Sequence, residues 1–148
     1  MKKKLISLFV LILFTEIFIS CQKSSGNVVL TKTDLLTESP WKINKYETKA
    51  HANDTYVDQF PGVSACSRDD EYKFAVSNTY QLTEGATKCN PSDPDLIFTG
   101  FWLFENNEAT LKMDNVEYSM LRLDDTLVIT NATYLAPDST YNRITLAH

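Results

Sequence analysis

Alternating apolar and polar side chains run through most of this chain and predict β-strands. Between residues 72 and 82, large apolar side chains occupy every second position on both sides of a turn at Ser77–Asn78. A period of two around a short turn is typical of a β-hairpin, whose first strand is predicted to reach Val76. A cysteine stands on each side of this hairpin, Cys66 before it and Cys89 after it.

Similar apolar runs follow one another at spacings near ten residues, from Trp41 to Leu146, with short polar turns such as Asp114–Asn115 between them. A phase change of one residue near Met120–Leu121 predicts a β-bulge. No segment between the runs has a helical pattern long enough for a parallel crossover. The chain is therefore predicted to be all-β, an antiparallel up-and-down meander of about eight strands, either closed as a barrel or curled so that its edges are protected.

A short helical turn is predicted just before the first strand. Thr33 is expected to cap it, Leu36 lies within it, and Pro40 ends it. Residues 31–148 are then one barrel domain, which is a suitable length for a single hydrophobic core.

The N-terminus has the features of a secretory signal. Lys2–Lys4 precede an apolar run from Leu5 to Phe14, which is shorter than the roughly 20 residues of a membrane span. Ser20–Cys21 resembles a bacterial lipobox, in which the cysteine is lipidated after cleavage. We expect residues 1–20 to be a lipoprotein signal peptide and residues 21–30 to be the lipidated Cys21 and a flexible tether. The alternative is a secreted protein with a spare cysteine.

The cysteine count agrees with lipidation. Three cysteines leave an odd one in an exported chain, and acylation of Cys21 would leave Cys66 and Cys89 to form a disulfide. The formal charge is −5, and removal of residues 1–20, with three lysines and one glutamate, makes it −7. Because no basic cluster survives, the sequence gives no reason to expect nucleic-acid binding.

The chain resembles the lipocalin-like lipoproteins of the Bacteroidetes across nearly all of the predicted mature chain, residues 21–148. The residues that carry the resemblance are Trp41, Cys66, Asp69–Asp70, Tyr72, Phe74, Tyr80, Gly85, Cys89, Gly100, Trp102, Phe104, Leu111, Tyr118 and Leu127. The resemblance implies a small calycin-type barrel on a lipid anchor at the outer membrane, at its periplasmic face or at the cell surface.

Lipocalin relatives bind small apolar molecules, so the resemblance implies a possible apolar or amphipathic ligand. The aromatic residues expected to line the barrel are Trp41, Tyr72, Phe74, Tyr80, Trp102, Phe104 and Tyr118. The same side chains would also fill a small solid barrel. In that case the protein would be an interaction module acting through loops 50–65 and 90–96. Either way we expect a monomer.

The sequence contains no motif of a catalytic site, a phosphate loop or a dinucleotide fold, and we expect neither an enzyme nor a cofactor. His51 and His148 have no obvious partner for a metal. Oxygen ligands at Asn90, Asp93 and Asp95 lack the glycine and glutamate of a calcium loop. Asp69–Asp70 is expected to bind backbone N–H groups rather than to form an acid–base pair.

Overall fold

The structure is a computed structural model that describes residues 29–135 and 138–148. One α-helix and nine strands occur in these residues, together with 3-10 turns at Phe60–Gly62 and Ala65–Ser67. The elements are α1 (Lys32–Thr37), β1 (Trp41–Lys49), β2 (Val57–Asp58), β3 (Glu71–Phe74), β4 (Thr79–Thr83), β5 (Leu96–Glu105), β6 (Thr110–Met113), β7 (Val116–Leu123), β8 (Thr126–Leu135) and β9 (Asp138–Ala147).

Eight of the strands form a closed antiparallel barrel, which confirms the predicted fold class. From β3 to β9 each strand pairs with the next along the chain. Strand β1 closes the barrel because it pairs with β9 over most of its length and with β3 at Trp41 and Lys42. Strand β2 pairs only with Glu47 and Thr48 of β1 and lies outside this closed set.

The predicted signal peptide, the lipidation site Cys21 and most of the tether lie outside the described residues. Among the residues that the structure does describe, no helix is both long enough and apolar enough to cross a membrane.

The helix α1 packs against the end of the barrel where β1 begins, which we call the lower end. Its cap is Thr31 rather than the predicted Thr33. The Thr31 hydroxyl accepts a hydrogen bond from the Asp34 amide at 3.1 Å, and the Asp34 carboxylate accepts one from the Thr31 amide at 2.9 Å. Asp34 completes this capping box from the third helical position, a partner that Thr33 lacks. Leu36 is fully buried under the barrel.

The core lies in the lower half of the barrel. Trp41, Leu111 and Leu127 are fully buried, and Trp102 is nearly so. Both indole N–H groups have partners: Trp41 donates to the Leu36 carbonyl at 2.8 Å and Trp102 to the Ala75 carbonyl at 3.0 Å. Satisfying these donors allows two large aromatic side chains to be buried without a desolvation penalty.

Two strand predictions need correction and one is confirmed. Val76 does not continue β3 but lies exposed in the turn, because Ala75 and Thr79 pair and Asn78 adopts a left-handed φ of 62°. Strand β8 is continuous from Thr126 to Leu135, where the sequence runs 127–129 and 133–135 predict two shorter strands. The predicted bulge is present, as a register shift between Met120 and Arg122 against β8.

A disulfide joins Cys66 to Cys89, with their Cα atoms 5.0 Å apart, which confirms the predicted pairing. It connects the 3-10 turn before β3 to the loop after β4. The bridge therefore clamps together the two segments that flank the β3–β4 hairpin.

Replacing both cysteines by serine is expected to lower the free energy of unfolding by about 3 kcal/mol, because a bridge across 23 residues restricts the unfolded chain. Urea denaturation of the double variant measures this loss. Cys21→Ser is the control, and its free energy of unfolding should equal that of the natural chain. Alkylation of Cys66 in the untreated native protein would show that the bridge is absent.

An ion pair is buried on the outer wall beside β2. Glu47, only 5% exposed, accepts two hydrogen bonds from the Arg143 guanidinium at 2.7 and 2.8 Å. Lys45 lies 2.9 Å from the same carboxylate, and the Tyr56 ring lies 4.1 Å from the guanidinium. The hydrogen bonds from Arg143 outweigh the opposing effect of burial, and together with Lys45 they lower the pKa of Glu47 to about 2.

This depressed pKa predicts a pH-dependent contribution to stability. The pair contributes fully above the ordinary glutamate pKa near 4.5, and the contribution is lost as the pH falls towards about 2. Glu47→Gln should cost about 3 kcal/mol at pH 7, because it leaves Arg143 without its charge partner. It should also flatten the loss of stability below pH 4.5.

Urea denaturation from pH 2 to pH 7 measures both effects. The exposed Glu38→Gln is the matched control and should change stability by less than about 0.5 kcal/mol. Equal losses of stability between pH 4.5 and pH 2 in Glu47→Gln and the natural chain would contradict this account.

Candidate functional site

The upper end of the barrel, where β1, β4, β6 and β8 end, has an uneven rim. Strand β6 has four residues, whereas its neighbour β5 has ten, so the β6–β7 hairpin turns back low in the wall. Above Trp102, β5 is therefore paired only with β4. The early turn at Asp114–Asn115 is the sequence feature that causes this notch.

The upper part of β8 also lacks a neighbour on the β7 side. Pairing between β7 and β8 begins at Ser119 and Thr130, and the two strands separate beyond it. A solvent-filled space of about 490 Å³, which we call the side opening, lies between them. It is lined by Asn115, Val116, Glu117, Tyr118, Asn131, Ala132 and Thr133. Sequence reasoning missed it, because alternation shows which way residues face but not where neighbouring strands part.

Inside the barrel is a small apolar space, the interior cavity. It is lined by Ile43, Tyr72, Phe74, Met113, Tyr118, Leu127, Ile129, Ile144 and Leu146. Its volume, measured as the space open to the centres of water molecules, is about 40 Å³, which is room for about three waters. Sites for drug-sized ligands have roughly 300 Å³ or more, so side chains fill most of this barrel.

The seven predicted lining residues are divided between the cavity and the packed core. Tyr72, Phe74 and Tyr118 line the interior cavity. Trp41, Tyr80 and Trp102 are buried in the core, and Phe104 packs edge-on against Trp102 with ring centroids 5.3 Å apart. Phe74 connects the two groups, because its ring also lies edge-on to Trp102 at 6.0 Å.

Tyr118 lines both the interior cavity and the side opening. Burial raises the pKa of the Tyr118 and Tyr72 hydroxyls, so both are neutral hydrogen-bonding groups at physiological pH. An apolar space and a polar, solvent-filled space thus meet at one aromatic side chain. Tyr118 is thus the residue shared by the walls of the two spaces.

A chain of neutral polar side chains lies beside this junction. The Tyr46 hydroxyl donates to the Asn142 side-chain oxygen at 3.1 Å, and the Asn142 amide donates to the Asn131 side-chain oxygen at 3.0 Å. Asn131 and Asn142 are register partners two residues above the pair Ile129 and Ile144, so they face the barrel interior. Neither residue was among the predicted site residues, although the alternation along β8 and β9 already indicates that both side chains face inwards.

Two apolar residues at inward-facing positions remain uncovered near the notch. Phe98 and Val116 are 46% and 42% exposed. Both belong to the interior face by strand parity, and Phe98 packs against Tyr80 with ring centroids 5.8 Å apart. The register shift between Leu82 and Thr83 breaks this parity at Leu96, which is 45% exposed and lines a separate depression with Glu84, Asp93, Pro94 and Ile97.

Carboxylates dominate the opposite part of the rim. Asp69 accepts a hydrogen bond from the Thr87 amide at 2.9 Å, and Asp70 accepts one from Gly85, which confirms that the pair binds backbone groups. Burial, reinforced by the charge of Asp69, raises the pKa of Asp70. Burial also raises the pKa of Glu84, with the charges of Asp70 and Asp93 adding to it. The potential at this part of the rim is therefore negative.

The other residues considered as metal ligands lie in separate places. His51 contacts Asp54 at the upper end, whereas His148 lies against Trp41 at the lower end. Asn90 accepts hydrogen bonds from Ser92 within its own turn. Within residues 29–135 and 138–148, no three histidine, cysteine, aspartate or glutamate side chains are grouped to hold a metal ion.

One cluster fixes the turn that creates the notch. The Tyr80 hydroxyl donates to Asp114 at 2.8 Å, and the same carboxylate accepts a hydrogen bond from the Phe101 amide at 2.9 Å. Burial and the Asp114 carboxylate both raise the pKa of Tyr80, which remains neutral. A Cβ atom on Gly100 would lie 2.6 Å from both Tyr80 and Asp114, so only glycine fits there.

Comparisons with known proteins identified no relative: no family profile, curated protein or solved structure gives a significant match to the chain. The geometry of the upper end is thus the basis for any statement about function. It combines a small apolar cavity, a larger polar opening and a negatively charged rim.

Gly100→Ala is expected to destabilise the protein by about 1–3 kcal/mol, because the added methyl group must displace Tyr80 or Asp114. Gly62→Ala is the matched control: an added Cβ there meets nothing within 4 Å and should change stability little or raise it slightly. Thermal unfolding of both variants measures the difference. Equal stability of the two variants would contradict the proposed close packing.

Proposed function

We infer that this protein is a lipid-anchored envelope lipoprotein whose lipocalin-like barrel binds a small amphipathic ligand at its upper end. The observation that carries this proposal is the junction at Tyr118, where the apolar interior cavity meets the polar side opening. No covalent chemistry is assigned to the site. The binding is non-covalent and depends on burial of an apolar group and hydrogen bonding of a polar one.

The size of the two spaces defines how such a ligand would lie. The interior cavity of about 40 Å³ admits only the end of an apolar group. The side opening, at about 490 Å³, has the volume of an ordinary small-molecule site. Val116 would contact the middle of the ligand, because it is an exposed apolar residue that lines the side opening.

An interaction module remains the second candidate, and a specific observation favours it. Phe101 and Leu103 on the outer face of β5 are 68% and 41% exposed. Two neighbouring outward apolar side chains on one strand form a surface that a protein partner would cover. This surface lies on a strand, not in the predicted loops 50–65 and 90–96.

Methionine methyl NMR tests the binding proposal directly, since Met113 lines the interior cavity and Met120 packs against the core outside it. Adding short alkyl amphiphiles to the full chain should shift the Met113 methyl signal more than the Met120 signal. Ile144→Phe, which fills the cavity, should abolish the shift, whereas Leu103→Phe on the outer face should retain it. A Met113 signal that no amphiphile moves would argue against ligand binding.

Mass spectrometry tests the lipoprotein part separately. Protein isolated from its native cells should begin at Cys21 and carry acyl chains on that residue. Cys21→Ser should prevent acylation and release the protein from the membrane fraction. An unmodified chain that retains residues 1–20 would refute the lipoprotein assignment without affecting the binding proposal.

A further inference from the structure

The side opening is polar without being cationic. The side chains that line it include three amide or hydroxyl groups, those of Asn115, Asn131 and Thr133, and one carboxylate, that of Glu117. In the described part of the chain, no lysine or arginine lines the interior cavity, the side opening or the depression formed by Glu84, Asp93, Pro94, Leu96 and Ile97. A carboxylate or phosphate on a ligand would thus find no cation among these lining residues, and Lys112 beside the side opening is already paired with Glu105 and Glu117.

The charges that are present at the upper end do not favour an anion. Glu117 at the side opening is paired with Lys112 at 3.9 Å, so these two charges offset each other. Glu84 and Asp93 line a second depression beside β5, at the opposite part of the rim. Asp70 lies close enough to Tyr72 of the interior cavity to act on its hydroxyl. Two like charges several ångströms apart at a protein surface repel one another enough to weaken binding severalfold or more.

The amide groups supply the complementary recognition. Asn131 accepts from Asn142 through its side-chain oxygen, which leaves its NH₂ group as a donor without a partner among the described residues. Asn115 lies exposed in the β6–β7 turn, so its amide provides a further donor and acceptor. The Tyr118 ring beside them offers an aromatic surface. Neutral donors and acceptors around an aromatic ring suit a head group that carries several hydroxyls.

We propose that the ligand is an amphiphile with an uncharged, polyhydroxylated head, such as a sugar or glycerol unit, in the side opening and a short alkyl chain directed past Tyr118 into the interior cavity. This inference rests on the binding function proposed above and specifies its ligand class. The narrow cavity limits the inserted part to the end of the chain, so affinity should depend mainly on the head.

Three water-soluble probes with the same six-carbon chain test the head preference: hexyl β-D-glucoside, hexanoate and hexyltrimethylammonium. The full chain is titrated at pH 7.5 and low ionic strength, where charge effects are largest. The Met113 methyl shift reports binding. We expect the glucoside to bind most tightly and hexanoate at least about tenfold more weakly. Tighter binding of either charged probe would overturn the head assignment while leaving the binding function intact.

Variants separate the effect of the carboxylate charges on the head preference from the effect of the side-chain amides. Glu84→Gln with Glu117→Gln should raise the affinity for hexanoate relative to that for the glucoside at least threefold. Glu38→Gln at the lower end is the matched control and should alter neither. Asn115→Ala should weaken the glucoside severalfold without affecting hexanoate. The fold should tolerate the change, because the Asn115 side chain is exposed and forms no hydrogen bond with another side chain in the described part of the chain.

The outcomes test the binding function and the identity of the head group separately. If none of the three probes shifts Met113, the binding function itself fails. If all three bind with equal affinity and the glutamine variants change nothing, the site recognises only the alkyl chain, and the polyhydroxylated head is refuted.

Discussion

Closure by β1 is the constraint on which the rest of this barrel depends. This strand pairs with β9 along most of its length, with β3 at its first two residues and with β2 near its end. A closed barrel has no free strand edge along the closed part, and its interior must be filled by side chains from every strand. Trp41, the first residue of β1, is fully buried at the lower end of that filling and also holds α1 through Leu36.

The upper end departs from full closure because one hairpin is short. The four residues of β6 cannot reach the height of β5 and β8, so a notch and the side opening follow from a difference in strand length. Gly100, Tyr80 and Asp114 hold the short hairpin at that height. The same cluster therefore stabilises the wall and defines the polar space beside Tyr118.

Much of the fold could be predicted from the sequence, and the reason is physical. Strict alternation, short turns and the absence of helical segments leave an antiparallel meander as the economical arrangement, and the bulge at Met120 and the pairing of Cys66 with Cys89 were also predictable. The candidate site was harder to predict from the sequence. Whether Tyr72 or Trp41 contacts a cavity depends on packing across the barrel, and the separation of β7 from β8 depends on strand lengths on opposite sides of the wall. Neither is encoded in local alternation.

The position of α1 has a consequence for how a ligand would reach the site. The helix covers the lower end and is also where the described chain enters the barrel, so a lipid on Cys21 would attach at that end through a short tether. The upper end would then point away from the bilayer into the aqueous phase. On that arrangement, a ligand would reach the site from the surrounding water.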